Sequence, residues 1–285
     1  VIGGCKKQTV TVPSHHFLLT ADPYVPLMQQ EVEQYGSLYP KVNIEVHSAS
    51  TRGAIVSLLN DSVYTIVIDR QLNEEEKQVA QQATLRLVES KIAEDGIAII
   101  VHKQNPIPHI ATESVHQIIT KTATTWGEIA ESHWSGLIDL VLTGRNSGIN
   151  ELLQKKIFAG SKLLEPTTVM NSQREVIQYV SEHPNAVGCV AASLLTEESA
   201  PVKLLPVLVK SADGTEKEYF PRQEEIHESL YPFHYSLYLY NTNAKTDVGI
   251  GFSAFVLSNI GQKIFQRRGL MPVSIPYRTI QLHAE

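Results

Sequence analysis

The feature that most constrains this chain is an alternation of strand and helix patterns that runs its course and then starts again. "HHFLLTADPY" reads as a short strand and a turn. "VPLMQQEVEQYGSLYP" follows with apolar residues at helical spacing and Gly36 and Pro40 near its end. "KVNIEVHS" alternates, with Val42, Ile44 and Val46 on one face, and leads into the short helix "TRGAIVSLLNDS". "VYTIVID" is a buried strand, and "NEEEKQVAQQA" opens with an Asn and three glutamates, as a capped helix does. "LRLVESKIA" and "DGIAIIVHK" read as two strands. Such alternation predicts an α/β fold with mainly parallel sheets.

The second round begins at "ATESVHQIIT", with Thr112 as the expected N-cap. "TTWGEI" is a turn anchored by a tryptophan, and "LIDLVLTG" is a buried strand. "INELLQKKIF" is a helix with Leu152, Leu153, Ile157 and Phe158 as its apolar set. "SQREVIQYVSEHPNAVGCV" is a helix, a turn and a strand; "VLVKSADGTEKEYF" is a hairpin around Asp213-Gly214. "YPFHYSLYLYN" is an extended aromatic strand, and "GFSAFVLSNIGQKIFQRRG" is read as one amphipathic helix ending at Gly269. Two α/β units result, the second inserted before a C-terminal return. The chain is expected to cross near Gly96–His102 and again near Tyr235–Tyr240, making a hinge. This divides it into a tail over 1–14, a first lobe of 15–98 plus 235–285, and a second lobe of 99–234 that includes a hairpin near 202–222. Ligands of such proteins bind between the lobes, at the C-terminal ends of strands.

Composition narrows the function. The chain has 285 residues, enough for two domains, and 42% hydrophobic against 19% charged residues, which favours a packed core. A formal charge of −6 argues against general nucleic-acid binding. Cys5 and Cys189 form no CxxC pair, and no His/Cys cluster has zinc spacing, so neither metal nor cofactor is expected. Cys189 lies in an apolar run and is expected in the core. "VIGGC" before "KKQ" reads as the end of a lipoprotein signal, with Cys5 as the lipidated residue.

The chemistry concentrates at "LTGRNSGINELL", where a strand ends at Gly144-Arg145 and Ser147-Gly148 opens a helix. A helix start supplies amides and a favourable dipole to an anion. "GRNSG" lacks the Gly-x-Ser-x-Gly spacing of a nucleophile elbow, and "GSKLL" lacks the upstream glycine of a phosphate-binding P-loop.

Four blocks in order carry a resemblance. They are "DGIAIIVHKQNPIPHIATESVHQIITKTATTWGEI", "GRNSGINELL", "EHPNAVGCVAASLL" and "FSAFVLSNIGQKIFQRRGLMP". From about Phe17 to the C-terminus the chain resembles the substrate-binding proteins of bacterial phosphate ABC importers, in the type II periplasmic-binding-protein superfamily, and within them a divergent lipoprotein branch. The resemblance implies a two-lobe type II fold that closes on phosphate or a related oxyanion, no catalysis, and an inner-membrane ABC permease as partner. It further implies a lipid-anchored, periplasmic, monomeric protein. Residue by residue, it implies a ligand set of Thr20, Ser50, Thr51, Asp69, Arg145, Ser147 and Gly148, with Ile149 at the family's threonine. Hydroxyls and amides would supply donors and Arg145 a bidentate fork. The aspartate would accept the proton that hydrogen phosphate carries and sulfate lacks. The chain departs from the family at Ile149, in a shorter Arg145–Ser147 loop, and in Asp22, an added negative charge for which Arg52 and Arg70 are the candidate counter-charges.

Each residue also has a purely structural reading. Arg145 can pair with a carboxylate, Ser147, Ser50 and Thr51 can cap helices, Asp69 can pair with Arg70, and Thr20 is an ordinary loop threonine. The rival function is a sensor or scaffold on the same fold; a phosphate-ester hydrolase ranks lower, for want of an activated nucleophile and metal set.

Overall fold

Short β-branched runs and capped amphipathic segments fold as their patterns require. The computed structural model describes residues 15–157, 165–195, 201–242 and 247–274. The tail over 1–14 with Cys5, the side chain of Phe158 and the "GSKLL" segment lie outside them. The first run comprises β1 (His15–Ala21), α1 (Val25–Leu38), β2 (Asn43–Ala49), α2 (Thr51–Leu59), β3 (Thr65–Ile68) and α3 (Glu74–Gln82). Then come β4 (Leu87–His102), β5 (Ile110–Ala111), α4 (Thr112–Thr120), β6 (Asp139–Thr143), α5 (Gly148–Ile157), β7 (Thr168–Met170), α6 (Gln173–Glu182) and β8 (Ala186–Ala191). The chain ends with β9 (Val202–Leu205), β10 (Val207–Lys210), β11 (Glu216–Tyr219), α7 (Gln223–His227), β12 (His234–Thr242), α8 (Asp247–Val256), α9 (Asn259–Arg267) and β13 (Met271–Pro272).

The main sheet runs β2-β1-β3-β12-β4-β8-β6-β7, with β9 and β13 also paired to β4. β1 pairs in parallel with β2 and β3, and β6 pairs in parallel with β7 and β8. Both parallel groups are joined through β4. Its first part, Leu87–Gly96, lies antiparallel to β12, and Ile97–His102 lies antiparallel to β8 and β9. Ile97–Val101 are fully buried, so β4 is packed on both faces.

Four expectations are corrected. β4 is one strand, where two were read; Asp95-Gly96 continues it instead of turning. The Asp95 side chain accepts hydrogen bonds there, and a Cβ on Gly96 would come 2.5 Å from Pro221 Cβ. The C-terminal helix is two, α8 and α9, because Ser258 caps a new start by accepting from the Gly261 amide. Thr112 is the first helical residue of α4 and Ala111 precedes it as a cap without a side-chain bond. The sheets are mixed and not mainly parallel, because β4 and β12 each lie antiparallel to their neighbours. Ile149, at the family's threonine position, is a core side chain with 1% exposure. Elsewhere the patterns hold: Asn73 and Glu76 form a reciprocal capping box, β10 and β11 form the hairpin, and Cys189 is buried, its thiol pushed up to about 12 by burial.

A buried polar network sits where β4 passes from one group of strands to the other. Asp95 accepts from Ser193 Oγ at 2.6 Å, the Gly96 amide at 2.7 Å, Tyr24 Oη at 3.2 Å and the Ser193 amide at 3.3 Å. Tyr24 and Tyr235 hydroxyls lie 2.5 Å apart. Burial pushes the Asp95 carboxyl up to about 6, and the hydrogen bonds offset part of the rise. A carboxyl raised from 3.8 binds its proton more tightly folded than unfolded. Its favourable contribution is complete at low pH and is lost as pH rises through about 6. The stability of the protein relative to its Asp95→Asn variant should therefore fall by on the order of 2–3 kcal/mol between pH 4 and pH 7. Urea unfolding at both pH values measures this, and a constant difference would contradict it.

Candidate functional site

The C-terminal ends of β1, β2, β3, β6 and β7 all reach one cavity of about 440 Å³. Helix starts come with them, because in each unit the strand feeds directly into a helix. Ser50 caps α2, its Oγ accepting from the Gly53 amide at 3.1 Å. Ser172 caps α6, its Oγ accepting from the Glu175 amide at 3.2 Å. α5 opens at Gly148 immediately after the cavity loop Gly144–Ser147. Three helix N-termini thus surround one space, which gives it a positive potential without a cluster of cations.

The predicted residues fall into three groups. Thr51, Asp69 and Gly148 form a single hydrogen-bonded bridge. Thr51 Oγ1 donates to Asp69 Oδ1 at 2.7 Å and accepts from the Gly148 amide at 3.2 Å. Thr51 and Asp69 are each 1% exposed. Gly148 must be glycine here, since a Cβ would lie 1.7 Å from Asp69 Oδ1. Burial raises the Asp69 carboxyl above its ordinary range, and the Thr51 hydrogen bond offsets part of that rise. Ser50, Arg145 and Ser147 form the second group, on the cavity wall. Arg145 is exposed, and among the described residues it makes no ion pair. Thr20 stands apart. It is fully buried within β1, between Ser48 and Val67 in register, and among the described residues its Oγ1 has no hydrogen-bond partner. The wall begins one residue later, at Ala21, Asp22 and Pro23.

Two further contacts join the same two groups of strands beside the bridge. The Arg52 amide donates to the Asn146 carbonyl at 3.2 Å. Arg70 grips Glu76 with Nη1 and Nη2, at 2.8 and 2.9 Å, and pairs through Nε with Glu151 on α5. Burial disfavours the guanidinium charge, but the two carboxylates outweigh it and raise its pKa. Arg70 is therefore committed to Glu76 and Glu151 and does not compensate Asp22.

Sequence reasoning overlooked part of the wall: Thr143 at the end of β6, and Asn171, Ser172 and Gln173 at the start of α6. Thr143 Oγ1 is buried and, among the described residues, has no hydrogen-bond partner. The signal was present, because "SQRE" has the Ser-x-x-Glu spacing of a helix start directly after a strand. A larger cavity of about 950 Å³, lined by Lys155, Lys156 and His234, lies on the other side of Asp69 and Arg70. It lacks the converging helix starts.

Comparisons with known proteins agree with this fold. The PBP superfamily domain matches residues 14–259. The phosphate-binding protein PstS of Pseudomonas aeruginosa is 24% identical over 268 residues, covering 89% of this chain and 81% of that protein. A protein of Clostridium perfringens, assigned as a phosphate ABC transporter substrate-binding protein and solved with bound phosphate, superposes with a TM-score of 0.77 at 23% identity; the match covers 91% of this chain and 100% of that one. An ABC-type phosphate transport receptor from Vibrio cholerae gives a TM-score of 0.70 at 19% identity, over 90% and 99% of the two chains. The chain belongs to the PBP superfamily, and its architecture is the two-lobe, type II periplasmic-binding-protein fold.

Proposed function

We propose that this protein captures phosphate in the 440 Å³ cavity and presents it to the permease of an ABC importer. The observation that carries the reading is the convergence of three helix starts, Arg145 and Asp69 on one space bounded by both groups of strands. The relatives' names support phosphate as the ligand and an ABC permease as the partner. The moving bodies are 15–98 plus 235–285 and 99–234, hinged where β4 and β12 cross. Arg145 and the hydroxyls of Ser50 and Ser147 donate to the anion, while Asp69 accepts its proton. Thr51 and Gly148 act by holding Asp69 across the cleft; Thr20 supports the strand behind the wall. Binding without turnover is part of the proposal, as is a periplasmic, monomeric protein tethered through lipid on Cys5. Attachment by that route needs a second acyl chain to be firm.

Titration of phosphate into phosphate-free protein by calorimetry should give saturable heat, with a melting temperature that climbs with ligand by mass action. Silence in both, at millimolar phosphate, would reject the phosphate reading and leave the fold intact. Arg145→Ala removes a charged donor without touching the core, so it should weaken binding by about 1.5–3 kcal/mol, roughly 10–150-fold. An unchanged Kd would remove Arg145 from the site.

Thr51→Val keeps shape but leaves the Asp69 carboxylate and the Gly148 amide without their shared partner. It should cost about 1–3 kcal/mol of stability in urea unfolding and weaken phosphate binding as well. Wild-type stability in this variant would show that the bridge contributes nothing.

A further inference from the structure

Resting on the phosphate reading above, we propose that Asp22 is a second proton acceptor in the cavity, so that the site selects the doubly protonated, singly charged form of the anion, dihydrogen phosphate. Among the described residues, Asp22, Asp69 and Arg145 are the only ionisable side chains on the cavity wall. Asp22 opens the 3-10 turn Asp22–Tyr24 that follows β1. Its Oδ2 is buried and, among the described residues, accepts no hydrogen bond. Pro23 comes next and has no amide, so this loop offers the cavity a carboxylate where it could have offered an N–H.

Among the described residues, no ion pair reaches Asp22. Arg174 and Arg268 lie beside a small crevice formed with Pro23 and Tyr24, and Arg268 donates to Gln30. Arg52 on α2 is exposed, Arg70 is held by Glu76 and Glu151, and Tyr24 bonds to Asp95 and Tyr235. Each helix start at the wall contributes about half a positive charge. With Arg145 set against two carboxylates, three such termini leave the cavity a net of about half a positive charge, which suits a singly charged anion far better than a dianion. Dihydrogen phosphate fits that balance. Its two O–H groups donate to Asp22 and Asp69, and its two remaining oxygens accept from Arg145, hydroxyls and amides. Hydrogen phosphate has one O–H, so one carboxylate would face the dianion unprotonated, and sulfate leaves two.

The test is calorimetric titration of the full chain with inorganic phosphate from pH 5.5 to 8.5. The apparent Kd for total phosphate should stay level below the second pKa of phosphate. Above it, affinity should weaken about tenfold per pH unit, as the bound species is titrated away. Asp22→Asn should abolish most of that slope while keeping the wild-type melting temperature, and Asp22→Glu should restore it. Asp22→Ser serves the same comparison should the asparagine variant melt early. A wild-type Kd that is flat or tightens with rising pH overturns the proposal but leaves phosphate binding standing. A wild-type slope retained in both Asp22→Asn and Asp22→Ser overturns it too. No binding at any pH overturns it together with the phosphate reading.

Discussion

The structure turns on one hydrogen-bonded bridge, in which the Thr51 hydroxyl joins the Asp69 carboxylate to the Gly148 amide. Its parts come from the start of α2, the end of β3 and the start of α5, so it ties the first run of the fold to the second at the floor of the cavity. A single side chain acts as donor and acceptor at once, and both partners are shielded from water. Under those conditions losing either bond leaves a buried polar group uncompensated, which makes the geometry specific. The glycine is part of the same constraint, since any side chain at 148 would occupy the carboxylate's position. Arg70 reinforces the contact from behind, by pairing with Glu76 on one side and Glu151 on the other.

The bridge is effective because β4 keeps the two groups of strands in one sheet. Asp95 stands on that strand where the pairing changes from β12 to β8, and it gathers donors from the turn after β1 and from Ser193 beyond β8. The turn that carries Tyr24 to this network also carries Asp22 and Pro23 to the cavity. Cavity wall and crossing strand are thus joined within three residues.

Much of this was legible in the sequence. Alternating strands and capped helices announced the fold, and the Ser147-Gly148 helix start pointed to the loop that lines the cavity. What failed did so for identifiable reasons. Asp95-Gly96 has the composition of a turn, and only the approach of Pro221 and the buried donors around Asp95 explain why it continues a strand. The apolar pattern through Val256 and Phe265 is continuous, so the break capped by Ser258 was hidden by its helical spacing. Thr20 and Ala21 differ by one residue, and local pattern cannot say which residue ends the wall. The α6 start escaped because β7, the strand that brings Asn171 and Ser172 to the cavity, is only three residues long and leaves too short an apolar pattern to read.

The central claim is that one anion is held from both sides of the cleft, by Arg145 and Ser147 on one and by Ser50 and Asp69 on the other. A crystal structure grown with phosphate tests this most directly. The account predicts a tetrahedral anion within hydrogen-bond reach of Arg145 and of Ser50, with a phosphate oxygen at hydrogen-bond distance from the Asp69 carboxylate. An anion bound to one side alone, or seated away from Asp69, would contradict it.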